Sequence, residues 1–485
     1  MTTWEWRKHD RQAVLAALGR GEYEAVATSA MGPLDRLGHL TAELGVFTAA
    51  TETIKINRQR EGIPDDLLLR TLVMLPFIDA TSFTDASGQL FGDAALLLQL
   101  GYSAVEIREG FNDRYRNSLG QKSVEALPLH PAVLREEMQR IDVDSLDTFR
   151  ERCIRSLFEH RFVRGTTYAI DGSGLNDKWR VVALFNVTRG RNILVSWRLL
   201  AGDASEKGKE ATVVRSMIDD VRKVAGPDAI DLLLMDALYA DGPLLATLKY
   251  QYGIDALVRV PEDRDIFADM VGIMQHEPTR WQQHQDVRYL AGQKQMRTVA
   301  AAAVDGLTTW DSFREKASAL GAGDATLWGC LIHEIASTGP QMPEVWGLIS
   351  TRSFPTAWQG YTTWRQRWRI ENTAFHELKE AWHLEQARWG RSLATIATRV
   401  TLTCVAFNIA QIIKGKDGRN LLDHGMLRLR RALTREVGVA PVIVYADGCY
   451  AILDIEEVMT ATGRPPTASL HRRARPISNR HPPLS

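Results

Sequence analysis

Apolar positions along this chain recur in two rhythms, and the change from one to the other divides it. Up to about residue 160 the spacing is three and four, and segments 65–78, 94–100, 104–115 and 131–158 each predict helix, with Gly and Pro between them. Ser103 stands where an N-cap belongs, after the break Gly101-Tyr102, so 94–100 and 104–115 predict a helix-turn-helix-like joint. Arg108, Arg114, Arg116 and Lys122 follow it, and a solvated face and a phosphate-facing one both fit them.

From residue 162 the period becomes two. Segments 162–170, 179–187 and 193–200 predict three antiparallel strands, the last two joined through Thr188-Arg189-Gly190-Arg191. An amphipathic helix at 210–224 follows. The short apolar run 231–235 has the character of a central strand buried on both faces, and after it come a helix at 243–252 and a strand at 255–260. The order βββαβαβ predicts an α/β fold with a ribonuclease H-like mixed sheet and helices on both sides.

Residues 261–358 interrupt that core with a β-rich insertion carrying Trp281, Trp310, Trp328 and Trp346, and with short strands at 288–290, 296–304, 325–335 and 345–350. Segment 361–390 then reads as one long helix, on which Trp364, Arg367 or Trp368, Glu371, Phe375, Leu378 and Trp382 share a face. An ionised Glu among aromatic side chains is costly unless a cation neutralises it; Arg367 one turn earlier and a divalent metal are the two candidates. A second long apolar helix at 392–413 is expected to pack on the sheet. A small strand pair is expected at 442–453, with self-association as one use, and a disordered basic tail from 464.

Composition narrows the partners. Lys plus Arg equals Asp plus Glu at 59 each, so any nucleic-acid surface must come from local clustering, such as Lys414, Lys416, Arg419, Arg428, Arg430, Arg431 and Arg435, or Arg472, Arg473, Arg475 and Arg480 in the tail. Cys153, Cys330, Cys404 and Cys449 are scattered without a CxxC pair; this argues against a structural zinc and a disulfide framework and suits a reducing cytoplasm. The N-terminal MTTWEWRKHD lacks the apolar stretch of a signal peptide, and runs such as LLLRTLVMLPFI stop short of a membrane span, so no membrane partner is expected.

The candidate chemistry is acidic. Asp171 and Asp236 each follow a predicted apolar strand, and in this strand order the two strand ends are neighbours. Either Asp alone fits a turn cap. Two carboxylates at close range repel unless a shared metal holds them. With Glu371 they make an oxygen-only ligand set, which favours Mg2+ or Mn2+ over zinc.

The segments YAIDGSGL, LLLMDALYADG and YTTWRQRWRIENTAFHELKEAW resemble the three acidic motifs of DDE transposases. They are most similar to the bacterial insertion-sequence group that excises through hairpin DNA ends and carries the signature Tyr-x2-Arg-x3-Glu-x6-Lys. Arg367 and Glu371 match its Arg-x3-Glu. Three positions depart: Gly172 where many relatives have a second Asp, Trp364 in the Tyr position and Leu378 in the Lys position, with Tyr361 and Lys379 nearby as substitutes.

The resemblance implies catalysis by Asp171, Asp236 and Glu371 on two Mg2+ ions, for which Mn2+ can substitute, with Asp171 bridging them. It implies phosphate contacts from Tyr361, Trp364, Arg367 and Lys379, and stacking of a flipped base on Trp346. The implied protein is a cut-and-paste transposase of the bacterial cytoplasm, working on the nucleoid. It binds double-stranded terminal inverted repeats and target DNA as a homodimer. The domain plan becomes a helical DNA-end-binding region at 1–160, a catalytic core from 161–260 and 359–413, the insertion at 261–358, a C-terminal region for dimerisation at 414–463 and the tail at 464–485. Two alternatives are a catalytically silent DNA-binding derivative, against which the three intact carboxylates speak, and a nuclease without strand transfer, against which the insertion and RWRIE speak.

Overall fold

The computed structural model describes residues 4–28, 32–58, 62–78, 80, 82–111, 128–176, 178–187, 192–201, 210–290, 293–335, 345–368, 370–385, 392–416, 442–453 and 455–462. Arg114, Arg116, Lys122, the basic positions from Arg419 onward and the 464–485 tail lie outside the described residues. The chain forms two compact units, Met1–Ser156 with Glu377–Ser485, and Leu157–His376.

The first unit is helical, as its 3.6-residue rhythm predicts, with a small sheet added. Its helices include Asp65–Met74, Phe83–Phe91, Ala94–Gln99, Ala104–Glu109, Pro131–Gln139 and Ser145–Glu159, the last two being a single segment in the sequence reading. Ser103 does cap the helix it precedes. Its hydroxyl accepts from the Glu106 amide and the Glu106 carboxylate accepts from the Ser103 amide, a complete capping box.

Strands β1 (Lys8–His9) and β2 (Ala25–Thr28) go beyond the sequence expectation, because each is too short to show a period. They flank the C-terminal hairpin described below.

The long helix Leu393–Lys416 also differs from expectation. The sequence placed it on the large sheet; it belongs instead to this unit, where it packs on Pro131–Gln139, Gly32–Glu43 and Asp65–Met74. Its stretch Leu393–Lys414 is long and apolar enough to cross a membrane, contrary to the reading of the apolar runs, but 83% of its most apolar window is buried in the protein. Lys414, placed in a basic cluster by the sequence, is buried and bonds Glu377 at 2.6 Å.

The second unit is built on a nine-stranded sheet. In chain order its strands are β3 (Thr167–Asn176), β4 (Trp179–Asn186), β5 (Ile193–Ala201), β6 (Leu232–Met235), β7 (Asp255–Val260), β8 (Gln282–Leu290), β9 (Gln293–Leu307), β10 (Leu327–Ile335) and β11 (Val345–Ser350). The spatial order is β5-β4-β3-β6-β7-β11-β10-β9-β8. Only β6 has parallel neighbours on both sides, β3 and β7, and its four residues Leu232, Leu233, Leu234 and Met235 are all fully buried. That is the environment its uninterrupted apolar run calls for.

The sequence of three antiparallel strands, helix Glu210–Ala225, β6, helix Gly242–Tyr250 and β7 follows the predicted order. The fold is therefore mixed α/β around one large sheet, as a ribonuclease H-like core requires. The 261–358 segment adds its four strands to the edge of that same sheet, beside β7, and contributes two helices that its strand-like pattern hid, Asp265–His276 and Asp311–Ala319.

Helices cover both faces. Adjacent strand residues point opposite ways. On β10 the ring of Trp328 packs over Gly360 of the helix Ala357–Trp364, while a Cβ added to Gly329 would meet Met270 of Asp265–His276.

Near the C-terminus, β12 (Val442–Ala446) and β13 (Cys449–Leu453) form the predicted strand pair, turning at Asp447-Gly448, both with positive φ. Helix Ile455–Thr462 follows them. The outer edges of the pair are taken within the unit. β12 pairs with β2 and β13 with β1, giving the order β1-β13-β12-β2, so self-association through these edges does not fit. Helices Arg11–Gly19 and Ile455–Thr462 close the core of this sheet around Val14, Leu18, Val444, Leu453 and Val458.

Candidate active site

The parallel register of β3 with β6 brings the two aspartates together. Thr167, Tyr168 and Ala169 pair with Leu232, Leu233 and Leu234, so Asp171 on β3 and Asp236 just past β6 stand at the same level two residues further on. β3 does not end at Asp171 as the sequence suggested. It runs on to Asn176, paired with β4 alone, and Asp171 marks the place where β6 leaves it. Asp236 ends β6 and opens the turn Ala237–Tyr239.

Between the two carboxylates lies one guanidinium. Arg367 donates through Nη1 to Asp171 Oδ2 at 2.9 Å, and its Nη2 is 3.6 Å from Asp236 Oδ1. The Arg367 side chain is 4% exposed, against 14% for Asp171 and 32% for Asp236, so the cation is sealed behind acids that reach solvent. The Arg367 guanidinium also lies over the ring of Trp364, 5.2 Å from its centroid. Asp171 Oδ1 further accepts from the Gly172 amide at 2.9 Å.

The segment carrying Arg367 is not the single helix expected for 361–390. It is a short α-helix, Ala357–Trp364, then a 3₁₀ turn, Arg365–Arg367, then a π-helical turn, Ile370–Phe375, then one α-turn, His376–Glu380. Residues 386–391 are outside the described set. Side-chain anchors in different directions account for the break. Trp364 Nε1 donates to the Met235 carbonyl at 3.0 Å, Arg365 bonds Asp286 on β8, and Arg367 bonds Asp171. Tyr361 and Lys379, which an unbroken α-helix would set on one line, are therefore not so aligned, because 3₁₀ and π turns advance by other angles.

Arg367 pairs with the two aspartates. Glu371 has its backbone in the π-helical turn; its side chain lies outside the described residues.

Three residues expected at DNA are core in this structure. Tyr361 is fully buried, Trp364 is 1% and Trp346 5% exposed. Trp346 packs against Tyr361 and Trp364 at ring separations of 6.0 and 5.1 Å. Aromatic residues at helical spacing here serve packing, and Tyr361 meets protein partners, donating to Asp286 at 3.3 Å and accepting from Arg297 at 2.6 Å. Burial pushes the Tyr361 hydroxyl above its ordinary pKa, against the pull of Arg297 and Arg365. Lys379 belongs to the other unit, where it pairs with Glu385.

The sequence reading missed Asp286, Arg297 and Arg365. Only the alternation of His284, Asp286 and Arg288 along one strand face hinted at a polar cluster, and that pattern equally describes a solvated edge.

The donor set suits a hard cation. Asp171 and Asp236 offer carboxylate oxygens, the ligand type that Mg2+ or Mn2+ prefers. Among the described residues no group of three or more His, Cys, Asp or Glu converges to hold a metal, and the third expected ligand, Glu371, is the one whose side chain is not described.

A mixed sheet with two carboxylates meeting beside its central strand defines a ribonuclease H-like protein. Residues 163–409, just over half of the chain, match the family model described as the transposase DDE domain, and the chain belongs to that family. No curated protein matches it. Enzymes of the family cut DNA and normally use divalent metal ions.

Proposed function

We propose that this protein is a cut-and-paste transposase that binds the terminal inverted repeats of an insertion sequence as a dimer, cleaves DNA there and joins the freed 3′ ends to target DNA. The observation that carries this reading is the meeting of Asp171 and Asp236 on one buried guanidinium. Asp171, Asp236 and Glu371 are the residues to hold two Mg2+ ions, or Mn2+ in their place. Bound there, such a pair supplies positive charge to both the attacking and the leaving oxygen of an in-line displacement at phosphorus.

The chain's own part is placement. Arg367 restrains one oxygen of each aspartate, and the Asp171 and Asp236 side chains keep 14% and 32% of their surface exposed. In cleavage, water attacks the phosphorus, the P–O3′ bond breaks, and a 3′-OH and a 5′-phosphate result. In joining, that 3′-OH attacks a target phosphorus and a target P–O3′ bond breaks, so phosphodiester bonds are conserved. The RWRIEN segment favours excision through hairpin ends, which a closed hairpin product from a pre-nicked end would register.

The test uses purified full-length protein and an end oligonucleotide in Mg2+. Asp171→Ala, Asp236→Ala and Glu371→Ala should each abolish cleavage while a gel shift still detects end binding. Cleavage at the wild-type rate by any of the three overturns the reading. A pre-cut end offered with target DNA separates a transposase, which joins it, from a nuclease, which does not.

A further inference from the structure

The turn Arg365–Arg367 is gripped from two sides. On one side are the site residues already described: Trp364 and Arg367, three apart, reach the Met235 carbonyl and Asp171. On the other side, Tyr361 and Arg365, four apart and hence on a common helix face, both reach Asp286 of β8. The Asp286 side chain is 7% exposed. It also accepts from Arg297 Nε of β9 at 2.9 Å, and Arg297 goes on to bond Glu334 of β10 and the Tyr361 hydroxyl. Arg365 and Arg297 both lie near the face of Trp368, each guanidinium carbon within 6 Å of the ring centroid.

A charge cluster this enclosed is weak as a stabilising device, since well-packed apolar residues commonly serve stability as well. Its distinctive effect is geometric. It locks the end of helix Ala357–Trp364 against β8 and β9, so the next residues have one path to the site.

We propose that Asp286 is a positioning residue for the reaction: through Arg365 and Tyr361 it sets the turn from which Arg367 holds Asp171 and Asp236. The proposal rests on the reading of Asp171, Asp236 and Glu371 as the catalytic carboxylates. Asp286 acts through Arg365 and Tyr361. Displacement of a catalytic group by about 1 Å lowers a rate by roughly 100-fold.

Single-turnover cleavage of an end oligonucleotide at saturating full-length protein, with binding followed by anisotropy, tests it. Asp286→Asn should cut about 10- to 100-fold more slowly with an unchanged Kd for the end. Asp286→Glu, which keeps the charge, should recover part of the rate. Arg365→Gln should reproduce the Asp286→Asn defect, and the double variant should be no worse than either single one, because both break the same link. Asp305→Asn, at the far end of β9 and bonded there to Ser353, should cleave as wild type.

Wild-type rate in Asp286→Asn overturns the proposal, as do additive losses in the double variant or an equal loss in Asp305→Asn. If Asp286→Asn does not fold, Arg365→Gln decides alone, since Arg297 still neutralises Asp286 there. Wild-type cleavage by Asp171→Ala would instead remove the underlying reading. Loss in Asp171→Ala with full activity in Asp286→Asn removes only the positioning role.

Discussion

A single guanidinium decides whether two like charges can stay side by side in this protein. Arg367 is buried against Trp364 and faces Asp171 and Asp236. Truncating it leaves both acids without that cation and a hollow beside an indole. Arg367→Ala should therefore destabilise the second unit by about 2–4 kcal/mol, toward the lower end of what breaking a sealed pair costs because Asp236 is part-exposed. A fall in the denaturant midpoint checks this.

Asp286 makes the corresponding prediction for pH. Burial raises its pKa, but the hydrogen bonds and charges of Arg297 and Arg365 outweigh burial and hold the carboxyl below its ordinary value of 3.8. A depressed folded pKa means that the unfolded chain takes up the proton first. The stabilisation is thus complete above pH 3.8 and is lost as pH falls below it toward the folded value. Asp286→Asn should flatten the stability profile in that acidic window and leave its slope near neutrality unchanged, as acid-titration melts would record.

At the scale of elements, what the sequence discloses and what it hides follow from where the forces lie. β3 to β7 and their two helices were legible because each writes its own period, and β6 shows its double burial as LLLM. Asp171 and Asp236 were legible because acids beside such strands demand a reason. The break in 357–380 was not, since its causes are partners far off in sequence: the Met235 carbonyl, Asp286 and Asp171. The resemblance gave Tyr361 and Trp364 phosphate contacts, whereas their common property in the fold is burial.

Gly360 shows how closely the helix Ala357–Trp364 sits. A Cβ there would come within 2.3 Å of the Trp328 ring. Gly360→Ala should cost about 1–3 kcal/mol by overpacking, despite the better helix propensity of Ala, and a thermal melt would show the lower Tm.

For the molecule as a whole, two units arise from an interleaved chain. Residues 157–376 form one, and the segments on either side of them form the other. The small sheet of the first unit depends on both segments, with β12 and β13 seated between β1 and β2, and the Tyr445 hydroxyl bonded to the Ala95 carbonyl at 2.9 Å. Removing residues 442–462 should strip amide protection from residues 8–28 while leaving that of β3 to β7 intact, which hydrogen exchange would resolve.

The same arrangement sets a timetable for biosynthesis. The ribosome has 442 − 28 = 414 residues to travel after β2 before the first residue of β12 is made. At about 5–20 residues per second this is roughly 20–80 s. Throughout that interval the N-terminal strands wait for their mates, so a message truncated before codon 442 yields a polypeptide whose beginning, as well as its end, is left unfinished.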